Sequence, residues 1–148
     1  MARDPWLVVG GCLSLAASVL HLACIVGGPD WYRFFGAGEA LARAAERGEW
    51  MPALLTLAIA ALLAIWAAYA FAGAGLIRPL PLMRIGLVLV SLIYLARGLF
   101  VLSPAAFSRP DLSPQFMFWS SLVVLVIGIV YAVGTWRAWP HLIKGLAS

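Results

Sequence analysis

Four long apolar runs, separated by shorter polar stretches, make up most of the chain: roughly 6–27, 50–75, 85–103 and 116–136. Each is close to the ~20 residues an α-helix needs to cross the hydrocarbon core of a bilayer. Only helices and closed barrels satisfy backbone polar groups in lipid. The runs are continuous rather than alternating in polarity, which excludes a barrel. The pattern therefore predicts an all-α polytopic membrane protein. It is an antiparallel four-transmembrane-helix bundle forming a single domain, 1–148, with a short interfacial helical segment between helices 1 and 2.

That segment lies in loop one, 28–49, the only connection long enough to carry structure of its own. It opens on the turn signal Gly27-Gly28-Pro29. Asp30 follows, placed as an N-cap for Trp31-Tyr32-Arg33-Phe34-Phe35, a run whose rings suit headgroup depth. After Gly36-Ala37-Gly38 a second helical run begins, with Glu39 and Arg43 in the favourable i, i+4 order. Loop two, Arg78-Pro79-Leu80-Pro81, is short and stiff, so spans two and three are expected as antiparallel neighbours. In loop three, Ser113-Pro114 reads as an N-cap with Pro at the first helical position. Ala60, Ala64, Ala68 and Ala72 recur every four residues and predict a smooth face for close helix approach.

Composition reinforces the pattern. Hydrophobic residues make up 64% of the chain and charged ones 11%, and mean hydropathy is +1.00, outside the range of soluble domains. The sequence pI near 9.6 does not imply nucleic acid, because the Lys and Arg residues are scattered at span ends rather than clustered. Arg3, Arg78, Arg84, Arg137 and Lys144 fall on one side; Arg33, Arg43, Arg47 and Arg109 fall on the other, together with Asp30, Glu39, Glu46, Glu49 and Asp111. This small excess assigns both termini to the cytoplasm, acids counting little for orientation. The first run is too long for a signal peptide's apolar core and is expected to remain as an uncleaved span. Cys12 and Cys24 are about 18 Å apart along one helix, too far to pair, and read as small apolar residues.

Candidate chemistry is confined to a few positions. Arg97 sits inside SLIYLARGLFVLS, and a guanidinium there must be paired, hydrated or reaching for the surface. His21 lies at a similar depth, about 9 Å from the loop-one end of its span. Ser18 and Ser14 share the His21 side of helix one, and Tyr94 and Ser91 step back from Arg97. Thr56, Ser120 and Ser121 add polar groups to the same outer half, whereas the inner half reads as Leu, Ile, Val and Ala. Loop one is expected to roof this region, bringing Asp30, Tyr32, Arg33 and Glu39 to its mouth, with Glu39 or Asp30 as counter-ion to Arg97. A one-sided pocket with apolar walls and few polar groups is the usual form of a small-molecule site. The bland readings stand beside this one: a His bonded within its own helix, an Arg snorkelling to the headgroups, and aromatics 31–35 serving as interfacial anchors.

Absences narrow the chemistry. The one lysine lies outside the spans, no Cys-x-x-Cys occurs, and no Cys/His cluster suits zinc. No phosphate loop, nucleotide fingerprint or Gly-x-Ser-x-Gly elbow is present, and the residues name no cofactor.

The stretch Gly27-Gly28-Pro29-Asp30-Trp31-Tyr32-Arg33-Phe34-Phe35-Gly36-Ala37-Gly38-Glu39, set after a span containing His21, resembles a motif of small bacterial four-span membrane proteins, DoxX-like in layout. The resemblance implies a bacterial inner-membrane protein and supplies no reaction. The layout is also similar to the sterol-isomerase and sigma-2 receptor fold, a likeness of fold alone. The leading functional expectation is a membrane protein whose pocket takes a small lipophilic or amphipathic molecule. Arg97, Ser18, Asp30, Tyr32, Arg33 and Tyr94 are its candidate contacts, and Arg97, His21 and Glu39 the candidate catalytic groups if a reaction occurs. The alternative is a non-catalytic assembly or accessory subunit docking other chains, a second copy of this chain among them.

Overall fold

A computed structural model describes residues 4–103 and 114–144. The elements are α1 (Pro5–Gly27), α2 (Pro29–Phe34), α3 (Glu39–Glu46), α4 (Met51–Gly73), α5 (Met83–Leu99), a 3-10 turn (Phe100–Leu102) and α6 (Pro114–Lys144), with no strand among the described residues. Four helical segments are long and apolar enough to cross a membrane: Pro5–Gly27, Met51–Gly73, Met83–Leu102 and Pro114–Leu142. The protein is an all-helical, four-span membrane bundle. Helices α2 and α3 are the two short helices of loop one, separated at Gly36 and Gly38, whose φ values of 71° and 97° suit glycine.

Two local expectations change. Asp30 is not an N-cap: Gly28 holds that position without a side-chain bond, Pro29 opens α2, and Asp30 sits in its first turn. The cap that does form is Asp4, whose carboxylate accepts from the Trp6 and Leu7 amides at 3.0 and 3.1 Å. The fourth span also runs past its expected end at 136, through Pro140. Proline cannot donate into the ladder, yet the helix is held there from outside. Arg137 Nε donates to Asp4 at 3.3 Å. Arg84 Nε donates to the Leu142 carbonyl at 3.2 Å, with its guanidinium 5.5 Å over the Trp139 ring. Ser113 lies outside the described residues.

The long helices form a ring in which α1 packs on α4, α4 on α5, α5 on α6 and α6 on α1, each antiparallel to its neighbours. Along α4 and its C-cap a buried face runs through Thr56, Ala60, Leu63, Ala67, Ala70 and Ala74 in alternating steps of four and three, with Pro52 and Ala72 buried beside it. Of the predicted four-residue alanine stripe, Ala60 and Ala72 are buried, while Ala64 and Ala68 are only half-buried. The reason is geometric, since steps of four drift around a helix of 3.6 residues per turn while alternating four and three hold one face. Helices α5 and α6 approach through glycine. A Cβ at Gly98 would lie 2.6 Å from the Leu125 Cα, and one at Gly128 would lie 2.8 Å from the Leu95 nitrogen. Such small-residue contacts carry helix association where lipid offers no hydrophobic drive.

Tryptophan marks the membrane boundaries. Of seven tryptophans, all but Trp66 lie near span ends: Trp31, Trp50 and Trp119 on the loop-one side, Trp6, Trp136 and Trp139 on the side of the termini. Along α6, Trp119 and Trp139 are about 30 Å apart at the helical rise, the thickness of a hydrocarbon core.

Candidate functional site

Arg97 lies in the last turn of α5, exposed although its helical neighbours Tyr94 and Gly98 are buried. Its Nη1 donates to Ser121 Oγ at 3.0 Å, and Ser121, on α6, is fully buried. The single hydroxyl leaves the remaining guanidinium N–H groups without a protein acceptor among the described residues. Neither Glu39 nor Asp30 is its counter-ion. Both belong to a cluster centred on Arg33, which reaches Glu39 at 2.9 Å, Glu46 at 2.7 Å and Asp30 at 3.5 Å. Arg43 adds a second bond to Glu39 at 3.0 Å. Hydrogen bonds from Arg33, then Arg43, pull the Glu39 carboxyl down to about 2. Bonds to Glu39 and Glu46 push the Arg33 guanidinium above its ordinary value. The helix spacing of loop one thus serves to clip α2 to α3.

Tyr32 turns inward from α2 and packs with Cys24 and Ala42 on the end of α1. Phe116 of α6 lies over Gly36, so loop one spans from α1 to the start of α6. His21 is half-buried, with Nδ1 2.7 Å from the Ala17 carbonyl of its own helix. A carbonyl only accepts, so Nδ1 is the donor. Ser18 Oγ donates to the Ala60 carbonyl at 2.7 Å, fastening α1 to α4. Among the described residues no contact joins Asp30, Tyr32, Arg33 or Glu39 to Arg97, or His21 to Arg97.

Beneath Arg97 the four spans meet in a hydrogen-bonded layer. Ser14 Oγ is 2.8 Å from both the Tyr94 and the Tyr131 hydroxyls, and the Tyr131 hydroxyl donates to the Trp66 carbonyl at 3.1 Å. Because that carbonyl can only accept, the direction follows: Tyr94 donates to Ser14, Ser14 to Tyr131, and Tyr131 to Trp66. The Trp66 ring stands edge-on to Tyr94 with centroids 5.0 Å apart. Sequence reasoning reached Ser14 and Tyr94 and missed Tyr131. The available signal was a tyrosine inside an apolar run, whose hydroxyl must find a partner. The inner half is also less apolar than expected, with buried Ser91 and Thr135 3.5 Å apart across α5 and α6.

Helices α4 and α5 meet from their connection up to this layer. Tyr69 covers Gly86 and Leu87 packs on Gly73, while the Tyr69 hydroxyl donates to the Pro81 carbonyl at 3.0 Å. Outward of the Trp66–Tyr94 pair, Ile59 is 38% exposed, although it lies on the α4 face between buried Thr56 and Leu63. Ile59 and Arg97 are thus two exposed residues on facing helices and in the same half.

Elsewhere, a groove of about 470 Å³ runs between α5 and α6 along Val88, Ser91, Leu92, Leu95, Ala132, Thr135, Trp136 and Trp139. It lies on the opposite flank of α5 from Arg97. Among the described residues no three His, Cys, Asp or Glu side chains come close enough to hold a metal ion. Comparison with family models, with curated proteins and with solved structures finds no match to this chain.

Proposed function

We propose that this integral membrane protein binds a small lipophilic or amphipathic molecule in a one-sided pocket of its loop-one half, with Arg97 holding an anionic or carbonyl group of the ligand. The observation that carries the reading is the Arg97 guanidinium. It sits inside a membrane span, exposed and, among the described residues, anchored by one bond to a fully buried serine. A charge at that depth is costly unless it meets an opposite charge or water. The exposure of Ile59 across from it supports an opening between α4 and α5, with Trp66 and Tyr94 as its floor. Binding, rather than turnover, is what this geometry supports, because Glu39 is held by two arginines away from Arg97. In keeping with the DoxX-like layout, we place the protein in a bacterial inner membrane.

Orientation belongs to the same proposal, with both termini in the cytoplasm. On the loop-one side Arg33, Arg43 and Arg47 are each matched by carboxylates. On the other side Arg84 faces a carbonyl and an indole ring instead.

The test is thermal unfolding of the purified protein in detergent with oleate or with oleyl alcohol. Oleate is expected to raise the unfolding temperature of the wild type, since a ligand bound to the folded state alone stabilises it by mass action. Arg97→Gln should lose that rise and keep the response to the alcohol. If Arg97→Gln answers oleate as the wild type does, or if Arg97→Leu is more stable and loses nothing, the reading fails. The second reading, an accessory subunit, draws on Phe34 and Trp50, 75% and 72% exposed. It predicts detergent-resistant oligomers that Phe34→Ser breaks.

A further inference from the structure

We infer that the α5–α6 groove is a second binding site, for an anionic phospholipid of the leaflet on the side of the termini, its phosphate held by Arg84. The groove has the volume of a small-molecule site, is walled by aliphatic and indole side chains and is open to the membrane. Two hydroxyls, Ser91 and Thr135, sit at its back wall. Ser91 gives its proton to the Leu87 carbonyl at 2.7 Å, so it answers its own helix rather than calling for a polar ligand there. The body of the occupant is therefore apolar.

The polar end is supplied at Trp139, the groove residue nearest the membrane surface. Arg84 stacks on that ring at 5.5 Å and spends Nε on the Leu142 carbonyl at 3.2 Å. Stacking and the single bond fix the plane of the guanidinium and leave both terminal nitrogens without a carboxylate among the described residues. A planar, pre-oriented fork suits a phosphate. Trp136, 79% exposed, and Trp139 flank the place where a glycerol backbone would lie, at the interfacial depth indole prefers. An acyl chain running from there toward Leu95 meets mostly aliphatic and indole walls, with the Ser91 and Thr135 hydroxyls at the back. Charge complementarity thus selects an anionic phospholipid over a zwitterionic one and over a second copy of this cationic chain.

This site and the Arg97 site lie on opposite flanks of α5, so they fail separately. The experiment is native mass spectrometry of the intact protein, released from detergent after titration with dioleoylphosphatidylglycerol or dioleoylphosphatidylcholine. The wild type should retain the glycerol lipid several-fold better. Arg84→Gln should bring the two lipids level, and Ala132→Trp, which fills the groove, should reduce both. Arg78→Gln, on the same side but outside the groove, should leave the preference intact. Equal retention of the two lipids by the wild type would overturn the inference. So would a preference that survives Arg84→Gln, or one lost equally on Arg78→Gln. If Arg84→Gln does not fold, Ala132→Trp decides alone: undiminished retention sinks the site. A dimer that Ala132→Trp abolishes would give the groove to a second copy and overturn it as well.

Discussion

At the scale of single residues, most polar groups among the described residues have their bonds spent, whereas Arg97 has one to Ser121. Ser14, Tyr94 and Tyr131 form a directed relay that ends on the Trp66 carbonyl. Its members are unequal in consequence. Tyr94→Phe removes one bond and leaves Ser14 satisfied by Tyr131. Among the described residues, Ser14→Ala strips the one hydrogen-bond partner from Tyr94 and one of two from Tyr131, leaving a buried hydroxyl orphaned. Ser14→Ala is therefore expected to cost about 1–3 kcal/mol and Tyr94→Phe about 1 kcal/mol or less. Unfolding of the two variants in a denaturing detergent measures the order, and the reverse order would refute the assigned direction. Arg97 was legible in the sequence because a permanent charge inside an apolar run stands out without structural knowledge. Tyr131 was not, because tyrosine is ordinary in spans and its role depends on three other helices converging on it.

Elements were read more securely than their faces. The apolar runs place all four spans, and the glycines at 36 and 38 place the break in loop one, because each signal is local. The four-residue repeat caught Ala60 and Ala72 but missed Ala67 and Ala70, since it drifts around a helix of 3.6 residues per turn. The packing in hand predicts that Ala67→Leu disrupts the bundle while Ala64→Leu is tolerated, distinguishable by thermal unfolding. At the α5–α6 seam, Gly128→Ala places a methyl 2.8 Å from the Leu95 backbone and should cost about 1–3 kcal/mol by overpacking. Loop one makes a pH prediction. Glu39 titrates near 2 in the folded loop against an ordinary 4.5. A lowered carboxyl pKa stabilises above the ordinary value, and its contribution declines as pH falls below 4.5 and is gone near 2. The α2–α3 clip should loosen over that window, followed by protease cleavage between Gly36 and Gly38. Glu39→Gln should cleave readily at neutral pH and lose the pH dependence. Solvent screening keeps the effect small, so cleavage rate is a better reporter than global stability.

For the whole molecule, the two tryptophan levels and the charge clusters at either end define how it sits in a bilayer. If the termini face the cytoplasm, a cysteine at Arg78 in a protein lacking Cys12 and Cys24 is shielded from an impermeant thiol reagent added to intact cells. A cysteine at Arg47 is modified. The converse result would invert the bundle without disturbing its fold. The layout also bears on where the proposed site lies. The relay layer closes the middle of the bundle, the α4–α5 contact closes the half toward the termini, and Arg97 faces what is left. Trp66, the one tryptophan away from the boundaries, packs edge-on to Tyr94 at the floor of the proposed site and can report on it. The most direct measurement is quenching of Trp66 fluorescence by a dibrominated stearate in a protein keeping Trp66 as its sole tryptophan. The account predicts saturable quenching that Arg97→Gln weakens about tenfold or more. Quenching that is absent, or that Arg97→Gln leaves unchanged, would contradict it.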